Sequence, residues 1–162
     1  MGAVKLIAPM VLAAAFAPAS MHALERSRVL WATVDVCNPS DQPNFVGVRG
    51  SMPGDGHTGD VMYMRFRIQY QEPSSHRWMN VAKGADSGFV KVGSAGVARQ
   101  GGQSFRFAPA GGQAYTLRGY VTFQWRHGSG VLGTANKVTQ AGHISVVGAD
   151  PKNYSAATCK LS

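Results

Sequence analysis

Four arginines and two tyrosines carry the most legible chemistry in this chain. Arg65 and Arg67 alternate with Met64, Phe66 and Ile68, and Tyr63 precedes them. Arg118 and Arg126 alternate with Leu117, Val121, Phe123 and Trp125, and Tyr120 lies between them. A guanidinium is planar, permanently charged and able to grip a carboxylate, sulfate or phosphate with two parallel hydrogen bonds. If the two segments are neighbouring strands, Tyr63, Arg65, Arg67, Arg118, Tyr120 and Arg126 share one open sheet face. Such a face attracts anionic polymers. The bland alternative is a solvated face on which Arg stems cover aromatic surface.

Other constellations are weaker. Gly54-Asp55-Gly56-His57-Thr58-Gly59 spells GxGxxG, but a dinucleotide fingerprint must open a helix, and the pattern after Val61 is that of a strand. Asp55 and Asp60 offer calcium ligands without the alternating ligand spacing that calcium loops use. Ser51, Ser94 and Ser129 sit beside glycines, yet none completes G-x-S-x-G. HExxH is absent. His57, His76, His127 and His143 are scattered along the chain, and the eight acidic residues fall mostly in turns. A hydrolase would need those groups to converge in one hollow. A copper carrier would use His22 near a processed N-terminus with Met62 and Met64 as soft ligands, but both methionines share the predicted core face. The expectation is therefore no catalytic residue, no metal site and no cofactor.

The elements that must position these groups are strands. Met62, Met64, Phe66, Ile68 and Tyr70 fall on one face, and Tyr115, Leu117, Gly119, Val121, Phe123 and Trp125 repeat the pattern. Leu30, Ala32, Val34 and Val36 make a third stripe. Shorter candidates lie at 45–49, 77–82, 88–92, 103–108, 131–140 and 156–160. Gly/Pro/Ser clusters separate them, the stretch from about 50 to 60 reads as the longest loop, and no segment has a helical stripe. The fold class is all-β, an antiparallel sandwich of about 7–9 strands.

Pro109, Tyr115, Leu117, Gly119 and Val121 resemble the approach to and start of an immunoglobulin or fibronectin type III F strand, where a Tyr commonly bonds back to the backbone. The resemblance implies an immunoglobulin-like sandwich in which 61–71, 77–82, 115–126 and 131–140 play C, C′, F and G. The chain departs from true immunoglobulins in lacking a B–F cysteine pair. More loosely, Arg49–Gly54, Met62–Phe66 and Tyr154–Cys159 resemble uncharacterised exported bacterial proteins, and that resemblance implies no activity.

Composition bounds the rest. The 162 residues include 16 Lys+Arg against 8 Asp+Glu, a net charge of +8, with 44% apolar residues. That suits one folded domain and excludes a disordered chain. Lys5, the apolar run Leu6–Phe16 and the small residues around Ala19 and Ala23 read as a secretory leader cleaved after Ala19 or Ala23. The run is shorter than the roughly 20 residues of a membrane span. The division is a leader over 1–23 and one sandwich domain over 24–162. In an oxidising compartment the only two cysteines, Cys37 and Cys159, most simply form a disulfide joining the first strand to the last; free thiols or a metal pair are the alternatives. The expected product is a secreted or cell-surface monomer, not an enzyme. Its partner would be an anionic polysaccharide or other extracellular polymer, met on the Arg/Tyr face or in the end loops 50–60 and 127–130. A copper-binding sandwich or a hydrolase with an unrecognised site is the alternative. No motif for specific nucleic-acid binding is present.

Overall fold

The computed structural model describes residues 20–107 and 111–162, so residues 1–19 of the predicted leader, and Pro109, lie outside them. A short helix α1 (Met21–Glu25) precedes nine strands: β1 (Trp31–Cys37), β2 (Phe45–Met52), β3 (Val61–Gln71), β4 (Trp78–Asn80), β5 (Asp86–Ser94), β6 (Arg99–Arg106), β7 (Tyr115–His127), β8 (Gly130–Val138) and β9 (Cys159–Leu161). One sheet has the order β1-β2-β6. The other runs β4-β3-β7-β8, with β5 also on β3 and β9 on β7. Every pairing between named strands is antiparallel, and the two sheets pack as an all-β sandwich.

The period-two stripes explain that packing. Register across the central pair sets Met62 opposite Trp125, Met64 opposite Phe123, Phe66 opposite Val121 and Ile68 opposite Gly119. All but Gly119 present large apolar side chains, and these are 0% exposed, as are Val34, Val46, Val48 and Met52 from the facing sheet. Each such side chain contributes roughly 1.5–3 kcal/mol on burial. Gly119 is required by close approach, because a Cβ there would lie 2.7 Å from a Val48 methyl and from Thr139 Cγ2. The indole Nε1 of buried Trp125 donates to the Pro53 carbonyl at 2.9 Å, so its polar edge is satisfied.

Cys37 and Cys159 form the expected disulfide between β1 and β9. Three features depart from the sequence reading. Ser20 caps α1, which buries Leu24; five residues are too few to show a helical stripe. The longest irregular stretch is 139–158 rather than 50–60. It lies along the free edge of β1, with Val34 and Ala156 exchanging both backbone hydrogen bonds and the Asp150 N–H donating to the Asp35 carbonyl. An edge covered this way is closed to further strand pairing. Finally, the Tyr115 hydroxyl donates to the Gln113 side chain at 3.1 Å instead of to the backbone.

Candidate functional site

Because β3 and β7 are adjacent and antiparallel, residues of like parity meet on one side. Arg67 lies opposite Tyr120, Arg65 opposite Thr122, Tyr63 opposite Gln124 and Gln69 opposite Arg118. All six expected residues therefore occupy the outer face of one sheet. Each arginine lies over an aromatic ring. The Arg126 guanidinium carbon is 4.2 Å from the Tyr63 centroid and 4.7 Å from that of Phe89. Arg67 is 4.7 Å from Tyr120, Arg118 is 4.3 Å from Trp78, and Arg65 is 6.0 Å from Phe89. Trp78 and Phe89 were not among the expected face residues: the C′ role placed 77–82 beside β3 but not its register, and nothing local set β5 on β3.

Charge separates the four. Arg65 is paired with Asp86 through its Nε, at 2.8 Å, and its Nη2. That hydrogen-bonded pair holds the Asp86 carboxyl below the usual range. Arg67, Arg118 and Arg126 have neutral partners: Nη2 of Arg67 donates to Thr122 at 3.2 Å, Nε of Arg118 to Gln69 at 2.8 Å, and Nε of Arg126 to Gln124 at 2.9 Å. No carboxylate among the described residues forms an ion pair with these three. The Arg67 Nε is buried and has no acceptor. Rings, two amides and a hydroxyl thus orient three guanidinium groups. Arg118 and Arg126 have no carboxylate beside them among the described residues, whereas Arg67 lies opposite Asp86 across the β3–β5 pair, without a direct ion pair, and helps to hold its carboxyl down.

The two end loops meet as well. Residues 53–60 are pinned on both sides: Gly56 N–H donates to the Ala95 carbonyl, Ala95 N–H to that of Asp60, and Ser94 Oγ to that of Thr58. Gly54 is obligatory here, since a Cβ would stand 2.4 Å from the Ala95 carbonyl oxygen. The loop gathers Asp55, His57 and Asp60, whose ligand-type atoms all lie within 4.8 Å of one another. His127, at the end of β7, places Nδ1 2.6 Å from Asp60 Oδ1. Burial, and then the neighbouring Asp60 carboxylate, push the Asp55 carboxyl up, whereas the His127 contact holds Asp60 down. A hollow of about 520 Å³ opens beside them, lined by His57, Asp60, His127 and Leu132 among others. The fold thus brings two of the four scattered histidines together with two carboxylates.

The remaining candidates stay apart. His143 stacks on Trp31 at 4.6 Å, and burial lowers its pKa. His22 reaches only Glu25, at 3.9 Å, and His76 sits in the β3–β4 turn. Met62 and Met64 are core residues, so neither stands at the surface with His22. Ser51 is buried in β2, and Ser94 hydrogen-bonds the 53–60 loop. Another hollow, about 660 Å³, opens at the opposite end between Tyr70, Val81, Phe107, Tyr115 and Leu161. No protein-family model matches the chain, and no curated protein is similar to it.

Proposed function

We propose that this protein is an exported, non-enzymatic binding module of immunoglobulin-like architecture that takes an anionic polysaccharide on the outer face of the β4-β3-β7-β8 sheet. The order of that sheet supports the architecture, because it equals C′-C-F-G when the strands take the roles their resemblance implies. The disulfide supports an oxidising compartment. No described helix is long and apolar enough to cross a membrane.

One observation carries the ligand class: Arg67, Arg118 and Arg126 lie over aromatic rings on a single face, and none of them forms an ion pair with a described carboxylate. Each ring contact contributes ~0.5–1 kcal/mol toward holding its guanidinium. Side chains fixed in this way lose little freedom when an acidic group docks.

The test is retention on immobilised sulfated dextran under a sodium chloride gradient. Arg67→Gln, Arg118→Gln and Arg126→Gln are combined in one variant. A second variant, Arg26→Gln, Arg28→Gln and Lys152→Gln, removes the same charge elsewhere. Loss of the face should lower the eluting salt concentration sharply and reduce the salt slope by roughly three contacts, while the charge-matched control elutes near the wild type. Equal shifts in both variants would reduce the effect to net charge and reject the face.

A further inference from the structure

We propose that Asp55, His57 and Asp60 form a binding site for a divalent transition metal of the Zn²⁺ class, with His127 holding the Asp60 carboxylate in place and one coordination position open to the neighbouring hollow. The Asp55 side chain is only 2% exposed. Its Oδ1 accepts the His57 backbone N–H at 2.7 Å, but its Oδ2 is buried with no hydrogen-bond partner. That oxygen belongs to a carboxyl facing a second carboxyl, that of Asp60, in a loop fixed by backbone hydrogen bonds to Ala95. A buried acceptor left unmatched costs about 1–3 kcal/mol. Two facing carboxylates relieve their repulsion either by holding a proton between them or by admitting a cation.

The donor set indicates which species. His57 Nδ1 is 3.6 Å from Asp55 Oδ1 and 3.9 Å from Asp60 Oδ2, spacings that a small contraction converts into a shared coordination sphere. Imidazole nitrogen beside carboxylate oxygen suits Zn²⁺ and its first-row neighbours, whereas Ca²⁺ and Mg²⁺ call for oxygen alone. The loop offers three ligands, the number that leaves Zn²⁺ a fourth position for water or a ligand. His127 acts through Asp60 as a positioning residue: its ring nitrogen is on the carboxylate oxygen, and outer partners of this kind orient metal ligands.

The experiment is isothermal titration of tag-free, chelator-treated protein with Zn²⁺ and with Ca²⁺, alongside melting curves. Wild type should bind one Zn²⁺ per chain, in preference to Ca²⁺, and melt at a higher temperature with about 100 µM Zn²⁺ than with chelator. His57→Ala should weaken Zn²⁺ at least tenfold, and His127→Ala by about 10–100-fold. The side chains are 54% and 72% exposed, so His57→Ala should melt in chelator close to wild type, whereas His127→Ala also loses its hydrogen bond to Asp60 and should melt lower. The Zn²⁺-dependent rise, read against each variant's own melting in chelator, separates lost ligands from lost fold. Asp55→Asn, which keeps the shape of the site, should also abolish the Zn²⁺-dependent rise. Absence of Zn²⁺ binding would mean that the carboxyl pair shares only a proton and would overturn the site. Undiminished Zn²⁺ binding by His57→Ala, or tighter binding of Ca²⁺ than of Zn²⁺, would overturn it equally.

Discussion

Removing the Cys37–Cys159 bond, by replacing both residues with Ala, tests how the ends of the chain are held. The cysteines are 122 positions apart. In the chain-entropy treatment, closing a loop of that length removes freedom from the denatured state worth ~5 kcal/mol at 25 °C. Other native contacts hold the same region: Leu161 is buried, β9 pairs with Tyr115–Leu117, and residues 139–158 make backbone bonds to β1. The cost should therefore fall on stability rather than on fold, at about 3–5 kcal/mol against a typical domain total of 5–15. Urea unfolding followed by tryptophan fluorescence measures it directly, because the Trp125 indole, one of three, passes from full burial to water. The unfolding slope should also rise, since the uncrosslinked denatured chain exposes more surface. A double-Ala protein within about 1 kcal/mol of wild type would refute the loop-closure reasoning.

Three further outcomes follow from local geometry. Arg49 Nε donates to the buried Asp35 carboxylate at 2.9 Å, so Arg49→Leu should cost about 3–5 kcal/mol in urea unfolding. Burial already raises the Asp35 pKa despite Arg49. The variant should therefore regain stability as pH falls through that raised value, and a pH-independent deficit would contradict the pairing. Glu72 accepts hydrogen bonds from Ser74 and Ser75, which lower its pKa from 4.5 to about 2. Its contribution is complete above the unfolded value and is lost as pH falls toward 2; a carboxyl NMR titration with a midpoint near 4.5 would contradict this. Ser20 caps α1 and Met21 packs on the core, so intact mass of exported protein should begin at Ser20. A product beginning at Leu24 would show that the cap and Met21 are dispensable.

The sandwich was legible because β3 and β7 are buried on one face and wet on the other, which writes period two into Met62–Tyr70 and Tyr115–Trp125. The same parity argument placed four arginines on a common face once the strands were neighbours. What it could not supply was their aromatic supports from outside β3 and β7: Trp78 sits on a three-residue strand and Phe89 on β5, and the register of each on β3 depends on the chain's path, not on local alternation. Residues 139–158 were illegible as an edge cover because they reach β1 through scattered backbone hydrogen bonds and two isolated side-chain contacts, His143 on Trp31 and Ser155 on Thr33, which leave no periodic pattern. The Asp55–His57–Asp60–His127 cluster spans 67 positions between Asp60 and His127. Only the register setting Val61 opposite Arg126 brings them together, so the histidines read as scattered.

The most direct measurement of the central claim is an amide and side-chain NMR footprint of the protein titrated with a sulfated oligosaccharide at low salt. The expected result is saturable shifts concentrated at the guanidinium groups of Arg67, Arg118 and Arg126 and at the rings of Tyr63, Tyr120 and Trp78. Shifts confined to the 53–60 and 127–130 loops, or spread evenly over every exposed Lys and Arg, would contradict the assignment of this sheet face as the binding surface.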